Sequence, residues 1–392
     1  MPTSSQRNEL FIINTSSGSQ YCHYGFQIDT YTEGCTHDCV YCYARDEGLR
    51  EQRWNNPLPV PIDMATVRAI FETVFETDED SPWRSILEAR VPLRLGGYTD
   101  CFMRMEKHHG VTLELLKLLK QYAYPNVLVT RSPLVAKDTY MAEMDPALTV
   151  PQISIQTLND KLMRLMEPRA PKAIKRLETI KTLADAGFRV AARVNPLFPI
   201  FPDGHYTHPD AVNASARFDY FSFELLDALA EHGTTNVITG FGHLSPEGLT
   251  EIQGRLDEAG ADLVSLMKPE NQHGLRGFIF SKAEVRAYYE EIRRHCDAKD
   301  MRFTTCYLGQ GDFEYETHRD LWSNPCDCCD IKGCLSAFDK TALDIKRPAM
   351  IRANSPNSSW AQQTAQRIGL GIFDFMARQL QRQPETRPRS EE

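Results

Sequence analysis

No uninterrupted apolar run in the 392 residues approaches the roughly 18 that a membrane helix needs, so no membrane span is expected. The opening stretch MPTSSQRNELFIINTSSG lacks a basic segment followed by an apolar core. No secretory signal is therefore expected, and the chain reads as cytoplasmic. There is no repeat of fixed period and no low-complexity tract, which excludes solenoid and propeller arrays. Positive charge is also in deficit: 44 Lys and Arg stand against 53 Asp and Glu, a net charge of −9. That balance counts against a protein built to coat nucleic acid, although a local basic patch remains open. Disorder as a general state is excluded by a 42% hydrophobic and 25% charged composition. Only the polar tail 381–392 reads as disordered.

Cysteine is the residue in excess. Eleven thiols in a chain with no export signal point to metal ligands or reactive groups rather than disulfides. They cluster: Cys35, Cys39 and Cys42 form one group, and Cys326, Cys328, Cys329 and Cys334 another. Cys22, Cys101, Cys296 and Cys306 stand apart.

Short β-rich runs begin at Phe26, Val91, Asn126, Val150, Phe188 and Asn236 and alternate with helical patterns. Asp63 caps one such pattern, a second follows Thr112, and a third runs from Pro171 to Gly187. Strands separated by helices imply parallel pairing through right-handed crossovers. About six units precede residue 240, so the expected fold is α/β, a partial (β/α)6 barrel over 1–240. A helical, Cys-rich extension over 241–380 and the tail complete the chain. Chemistry in such folds sits at the C-terminal ends of the strands.

The stretch GCTHDCVYCYAR sets Cys35, Cys39 and Cys42 in a C-x3-C-x2-C spacing directly after the first strand. Three thiolates in one loop can hold three corners of a 4Fe–4S cube and leave one iron open for S-adenosylmethionine. Electron transfer would then give a 5′-deoxyadenosyl radical. Tyr41 is placed to lie against the adenine. A zinc loop or three buried cysteines are the competing readings, but zinc wants a fourth ligand. In NPCDCCDIKGC, four thiols on one loop point to a second metal, zinc or an auxiliary iron–sulfur cluster. Cys306 is a substitute ligand there, and a loop of free thiols is the alternative.

The run GCTHDCVYCYAR, LGGYTDCF, VLVTRSPLVAKD, ISIQTLNDKLMRLMEPRAP and LADAGFRVAARVNPLFP, in that order, resembles the radical S-adenosylmethionine superfamily. Within it the chain is similar to the spore photoproduct lyase group. The resemblance covers about 25–202 and implies a radical SAM barrel and a lyase-like enzyme. It places Gly96 and Gly97 near the methionine amino group of the cofactor, with Thr99 and Asp100 as polar neighbours. Arg131 would look toward the cofactor carboxylate. Ser154 is a ribose or carboxylate contact, and Arg193 a further inward candidate. An electron donor such as flavodoxin or ferredoxin is implied as a partner. The substrate stays open between a small molecule, nucleobase or peptide and a DNA lesion, the last disfavoured by the net charge. A non-catalytic iron–sulfur or redox-sensing protein is the rival from another class. In the lyase group a cysteine at the end of the second strand donates a hydrogen atom. Gly97 occupies the matching place here, and Cys101, four residues on, is its substitute, with plain packing the equal alternative. Seven Lys and Arg between 161 and 181 suggest either a phosphate patch or, more simply, a solvated helix face.

Overall fold

The computed structural model describes residues 26–45, 59–81, 83–198, 201–202, 222–241, 246–257, 261–262, 268–270, 277–279, 282–306 and 318–323. Its centre is one seven-stranded parallel sheet. In chain order the strands are β1 (Gln27–Ile28), β2 (Leu93–Leu95), β3 (Asn126–Thr130), β4 (Thr149–Ser154), β5 (Val190–Leu197), β6 (Thr234–Phe241) and β7 (Arg302–Thr305). Their spatial order is the same as their sequence order, and the sheet does not close. Six strands lie where the sequence pattern sets them. The seventh comes from beyond residue 240 and pairs with β6, Thr304 opposite Ile238. The expected division near 240 thus falls inside β6.

The helices follow from apolar spacing and capping. In α1 (Met64–Glu76), Val67, Phe71 and Val74 recur at three- and four-residue intervals and are buried, while the Asp63 side chain accepts from the Ala65 N–H. The helix α2 (Val111–Gln121) buries Leu115, Leu116, Leu118 and Leu119. Next come α3 (Asp160–Met166), capped by the Asn159 side chain, and α4 (Ala173–Asp185), which packs on β4, β5 and β6. Gly187, at φ +87°, ends α4 in the left-handed conformation. Later helices are α5 (Glu224–Glu231), α6 (Pro246–Asp257) and α7 (Lys282–Asp297). None of the helices among the described residues is long and apolar enough to cross a membrane. The terminal helical pattern and the 326–334 thiol loop lie outside the described residues.

Strand alternation gives the sheet two unlike faces. On the outer face Leu93, Leu95, Leu128, Ile153, Ala192, Val194, Val237 and Phe303 are fully buried. Each such large side chain contributes about 1.5–3 kcal/mol by leaving water. The inner face is polar. Gln27 is in register with Arg94, Ser154 with Arg193, and Ala191 with Asn236. Gln152 lies two residues before Ser154 on the same side. An ordinary α/β sheet covered by helices on both faces reads apolar throughout. This one keeps a face for something polar.

Candidate functional site

The three clustered cysteines lie on the loop that leaves β1. Cys39 is buried, and Cys35 and Cys42 are partly so. The Cys42 N–H donates to the Cys39 carbonyl at 3.2 Å. The backbone of His37 and Asp100 favours the thiolate at Cys35, and that of Arg45 and Ala44 favours it at Cys42. Burial pushes the Cys35 thiol up to about 12 and raises Cys39 and Cys42 as well. A bound cationic metal reverses that preference by replacing the protons. Among the described residues no three His, Cys, Asp or Glu side chains converge on a single ion position. A cube does not ask for that, because each thiolate bonds a different iron. Three soft sulfurs on one loop, two of them favoured as thiolates by nearby backbone, fit such a cluster.

Two buried carboxylates clamp this loop. Asp100 accepts from His37 Nε2 at 2.8 Å, Thr130 Oγ1 at 2.7 Å and the Arg131 N–H at 2.8 Å, tying the loop to the ends of β2 and β3. On the other side Glu167 accepts from the Tyr41 hydroxyl, from Arg176 and, at 3.3 Å, from Arg131 Nε. The backbone is stitched there too: Val40 N–H to Met166 O at 3.0 Å and Arg169 N–H to His37 O at 3.2 Å. The EPRAP stretch after α3 is therefore the loop's mould.

Burial by itself would raise both acids. Against it, His37 holds Asp100 at about 2, and Arg176 with Arg131 holds Glu167 at about 2. Their ordinary values are 3.8 and 4.5, so each folded value is depressed. Each carboxylate therefore contributes roughly 2–3 kcal/mol above its ordinary value, lost as the pH falls from about 4.5 toward 2. Asp29 runs the other way, since burial lifts it from 3.8 to about 6 and its contribution is lost as the pH rises through that range. Urea unfolding of the protein at pH 6 and pH 3 is expected to show the acid loss, and the combined Asp100→Asn, Glu167→Gln variant a flatter profile.

The remaining expected site residues separate into two kinds. Some are engaged inside the protein. Thr99 donates from Oγ1 to the Tyr31 carbonyl at 2.8 Å, and its N–H meets Asp29 at 2.8 Å. Gly96 sits at φ +88°, where an added Cβ would stand 2.5 Å from the Val129 carbonyl oxygen. At Gly97 the same atom would overlap the Gln27 amide at 2.3 Å, and the Gly97 carbonyl accepts from the Tyr43 hydroxyl at 2.5 Å. The others line the polar face. Arg131, whose side chain is 18% exposed, spans from Glu167 to the Tyr41 hydroxyl, 3.0 Å away. The Tyr41 ring packs 5.6 Å from Phe198. Ser154 lends its carbonyl to Arg176 at 3.0 Å. Arg193 donates to Gln152 Oε1 at 3.0 Å and to the Cys306 sulfur at 3.2 Å, just past β7.

Cys101 is fully buried, its sulfur 3.9 Å from the Ile28 carbonyl and its own carbonyl bonded to Thr112. That is the placement packing gives. Replacing Cys101 by Ala is expected to cost about 1–2 kcal/mol in urea unfolding, as loss of a small buried side chain does.

Sequence reading missed Glu167 as the partner of Tyr41, and missed the amides of the polar face. Among the described residues Gln152 Nε2, Gln156 Oε1, Asn195 Nδ2 and both amide atoms of Asn236 are buried without a partner. Their signal was present as period-two polar spacing, Gln152, Ser154, Gln156 and then Arg193, Asn195. It is legible only once the strands are known to be parallel and in register. The cations of 161–181 are mostly paired or capped: Lys172 with Asp160, Lys175 with Glu178, Lys181 with Asp185, Arg169 with Asp38, and Arg164 with the Pro168 carbonyl. They form a solvated face, with Arg176 alone turned inward.

Residues 30–206 match the family model described as the radical SAM superfamily. An uncharacterized protein of the Acidianus two-tailed virus is 27% identical over 176 residues, which is 42% of this chain and 54% of that relative. The match thus spans about half of the viral protein. An uncharacterized protein of Methanocaldococcus jannaschii is 24% identical over 200 residues, 50% of this chain and 70% of the relative. Among solved structures, a spore photoproduct lyase variant with bound S-adenosylmethionine and dinucleoside spore photoproduct superposes with a TM-score of 0.53 at 15% identity. That superposition covers 79% of this chain and 86% of the lyase. The lyase complexed with the same dinucleoside gives 0.52 at 15% identity, covering 78% and 86%. The thiol loop and its two carboxylate clamps thus lie within residues 30–206, the stretch that matches the radical SAM superfamily model, and the open parallel sheet that carries them has the fold of spore photoproduct lyase.

Proposed function

We propose that the chain is an enzyme that holds a 4Fe–4S cluster on Cys35, Cys39 and Cys42, binds S-adenosylmethionine beside it, and takes a hydrogen atom from an organic substrate. The observation that carries this is the three-thiol loop at the C-terminal edge of the sheet, fixed by Asp100 and Glu167 and facing polar side chains. When bound, the cluster supplies the electron that cleaves the sulfonium to a 5′-deoxyadenosyl radical. The protein's own residues bind and orient. Arg131 offers a guanidinium to the cofactor carboxylate, and Ser154 and Arg193 offer polar contacts to its ribose or carboxylate. Gly96 and Gly97 keep the end of β2 free of side chains, so the cofactor amino group can approach the backbone. Thr99 and Asp100 act one layer back, holding that turn and the thiol loop. Cys101 packs. A flavodoxin or ferredoxin is the electron donor this chemistry calls for. Beyond β7, the 326–334 thiols suit a second metal.

The substrate reading is a neutral small molecule. Uncharged amides dominate the polar face, and the cations of 161–181 are largely compensated by acids. A DNA lesion is the second reading, favoured by the dinucleoside bound in the similarly folded lyase. The test is anaerobic reconstitution with iron and sulfide, reduction, and mass spectrometry of 5′-deoxyadenosine formed from S-adenosylmethionine. Stoichiometric iron with no 5′-deoxyadenosine would leave the iron–sulfur binding protein as the better reading.

A further inference from the structure

Behind Cys39 and Tyr41 lies an ion triad of which the reaction as proposed uses only the Arg131 guanidinium, as a contact for the cofactor. Glu167 and Arg176 are fully buried, and they pair directly. Arg131 reaches the other oxygen of the same carboxylate. One carboxylate between two guanidinium groups leaves a surplus of one positive charge beneath the loop. Folding does not ask for that surplus. Arg176 alone balances Glu167, and it already bonds the Ser154 and Pro171 carbonyls at 3.0 and 2.8 Å. The surplus sits on Arg131, whose side chain is partly exposed toward the polar face, and it favours an anion beside it. The other buried carboxylate of the site, Asp100, takes the backbone N–H of Arg131 and not its guanidinium. The groups facing the Arg131 charge include Glu167, Tyr41 and the thiols of Cys39 and Cys42.

We propose that the Arg131–Glu167–Arg176 triad sets the electrostatics of the cluster held by the loop, with Glu167 the positioning residue that fixes Tyr41 and Arg131 against it. This rests on the four-iron reading above. Thiolate-bound iron–sulfur clusters carry net negative charge and gain more on reduction. A fixed cation in a weakly screened interior therefore favours the reduced form and raises the midpoint potential. Glu167 tempers that effect with its own charge. Through the Tyr41 hydroxyl, it also holds the ring that sits between two of the thiols in sequence.

The experiment is a redox titration, followed by electron paramagnetic resonance, of the reconstituted full chain and of Glu167→Gln and Arg131→Gln. Removing the anion is expected to shift the midpoint potential upward, and removing the cation to shift it downward. Opposite signs are the signature. A merely structural Glu167 would lower iron content and thermal stability in Glu167→Gln while the retained cluster kept the parent potential, which overturns the inference. Should Glu167→Gln hold no iron, Arg131→Gln decides: a downward shift supports the triad, and an unchanged potential rejects it. A parent protein that binds no iron rejects the four-iron reading and the inference together, whereas unmoved potentials in an iron-loaded parent and its variants reject the inference alone.

Discussion

Replacing Cys35, Cys39 and Cys42 together by alanine is expected to strip the loop of iron and abolish 5′-deoxyadenosine formation, while the sheet stays folded. Loss of a supporting residue around a metal costs roughly 10- to 100-fold in affinity or activity, and loss of the ligands themselves must exceed that. The fold should survive because Cys35 and Cys42 are only partly buried and the loop is held by other contacts. Those are the His37–Asp100 pair, the Tyr41–Glu167 bond and the Val40 to Met166 backbone bond. Circular dichroism close to that of the parent, together with iron analysis, makes the measurement. Undiminished 5′-deoxyadenosine in the triple variant would remove the loop from the chemistry. The same preparation reads the 326–334 thiols: stoichiometric zinc or iron that remains belongs there, and none remaining makes that loop a thiol-rich support.

The second large effect is expected at Gly96, and it is structural before it is chemical. In Gly96→Ala the new Cβ meets the Val129 carbonyl oxygen at 2.5 Å, and the backbone stands at φ +88°. The clashing atom is main chain of the neighbouring strand, so β2 and β3 must part for the methyl to fit. About 3 kcal/mol of destabilisation is expected, backbone strain and displaced packing together. Gly187 is the control. Its φ is +87°, nearly the same, and nothing lies within 4 Å of its added Cβ. Gly187→Ala should therefore cost only the left-handed backbone, about 1 kcal/mol. Urea unfolding of the two variants separates the terms. Equal losses would mean that the contact with β3 carries no weight. The expectation that Gly96 leaves room for a cofactor and the finding that it leaves room for β3 are compatible, because both depend on the missing side chain.

Much of this was legible in the residues. The spacing of Cys35, Cys39 and Cys42 is a local property, since ligands on one loop need no tertiary fold to be recognised as a set. The helices α1, α2 and α4 announce themselves through three- and four-residue apolar spacing and through caps such as Asp63. Six of the seven strands stand close to the places their β-rich runs marked. Arg302–Thr305 was not marked as a strand, because its region was expected to be a helical, Cys-rich extension. A four-residue run does not say which sheet will take it, because only pairing with β6 makes that choice.

What the sequence by itself determined is the chemistry available: three thiols behind a first strand, glycines at the end of the second, and cations and hydroxyls at the ends of the next three. Tertiary structure alone decided how those groups are used. Glu167 and Tyr41 are 126 residues apart, His37 and Asp100 are 63 apart, and no local pattern couples either pair. Cys101 looked like a thiol at a strand mouth, yet the turn after β2 directs its sulfur at the Ile28 carbonyl and closes it from solvent. Gln152, Asn195 and Asn236 share one face only because parallel register aligns alternate residues of three strands. A side chain's identity is written at its own position. Its partner is chosen by chain segments that meet only after the sheet has formed, when burial forces each polar group to find one.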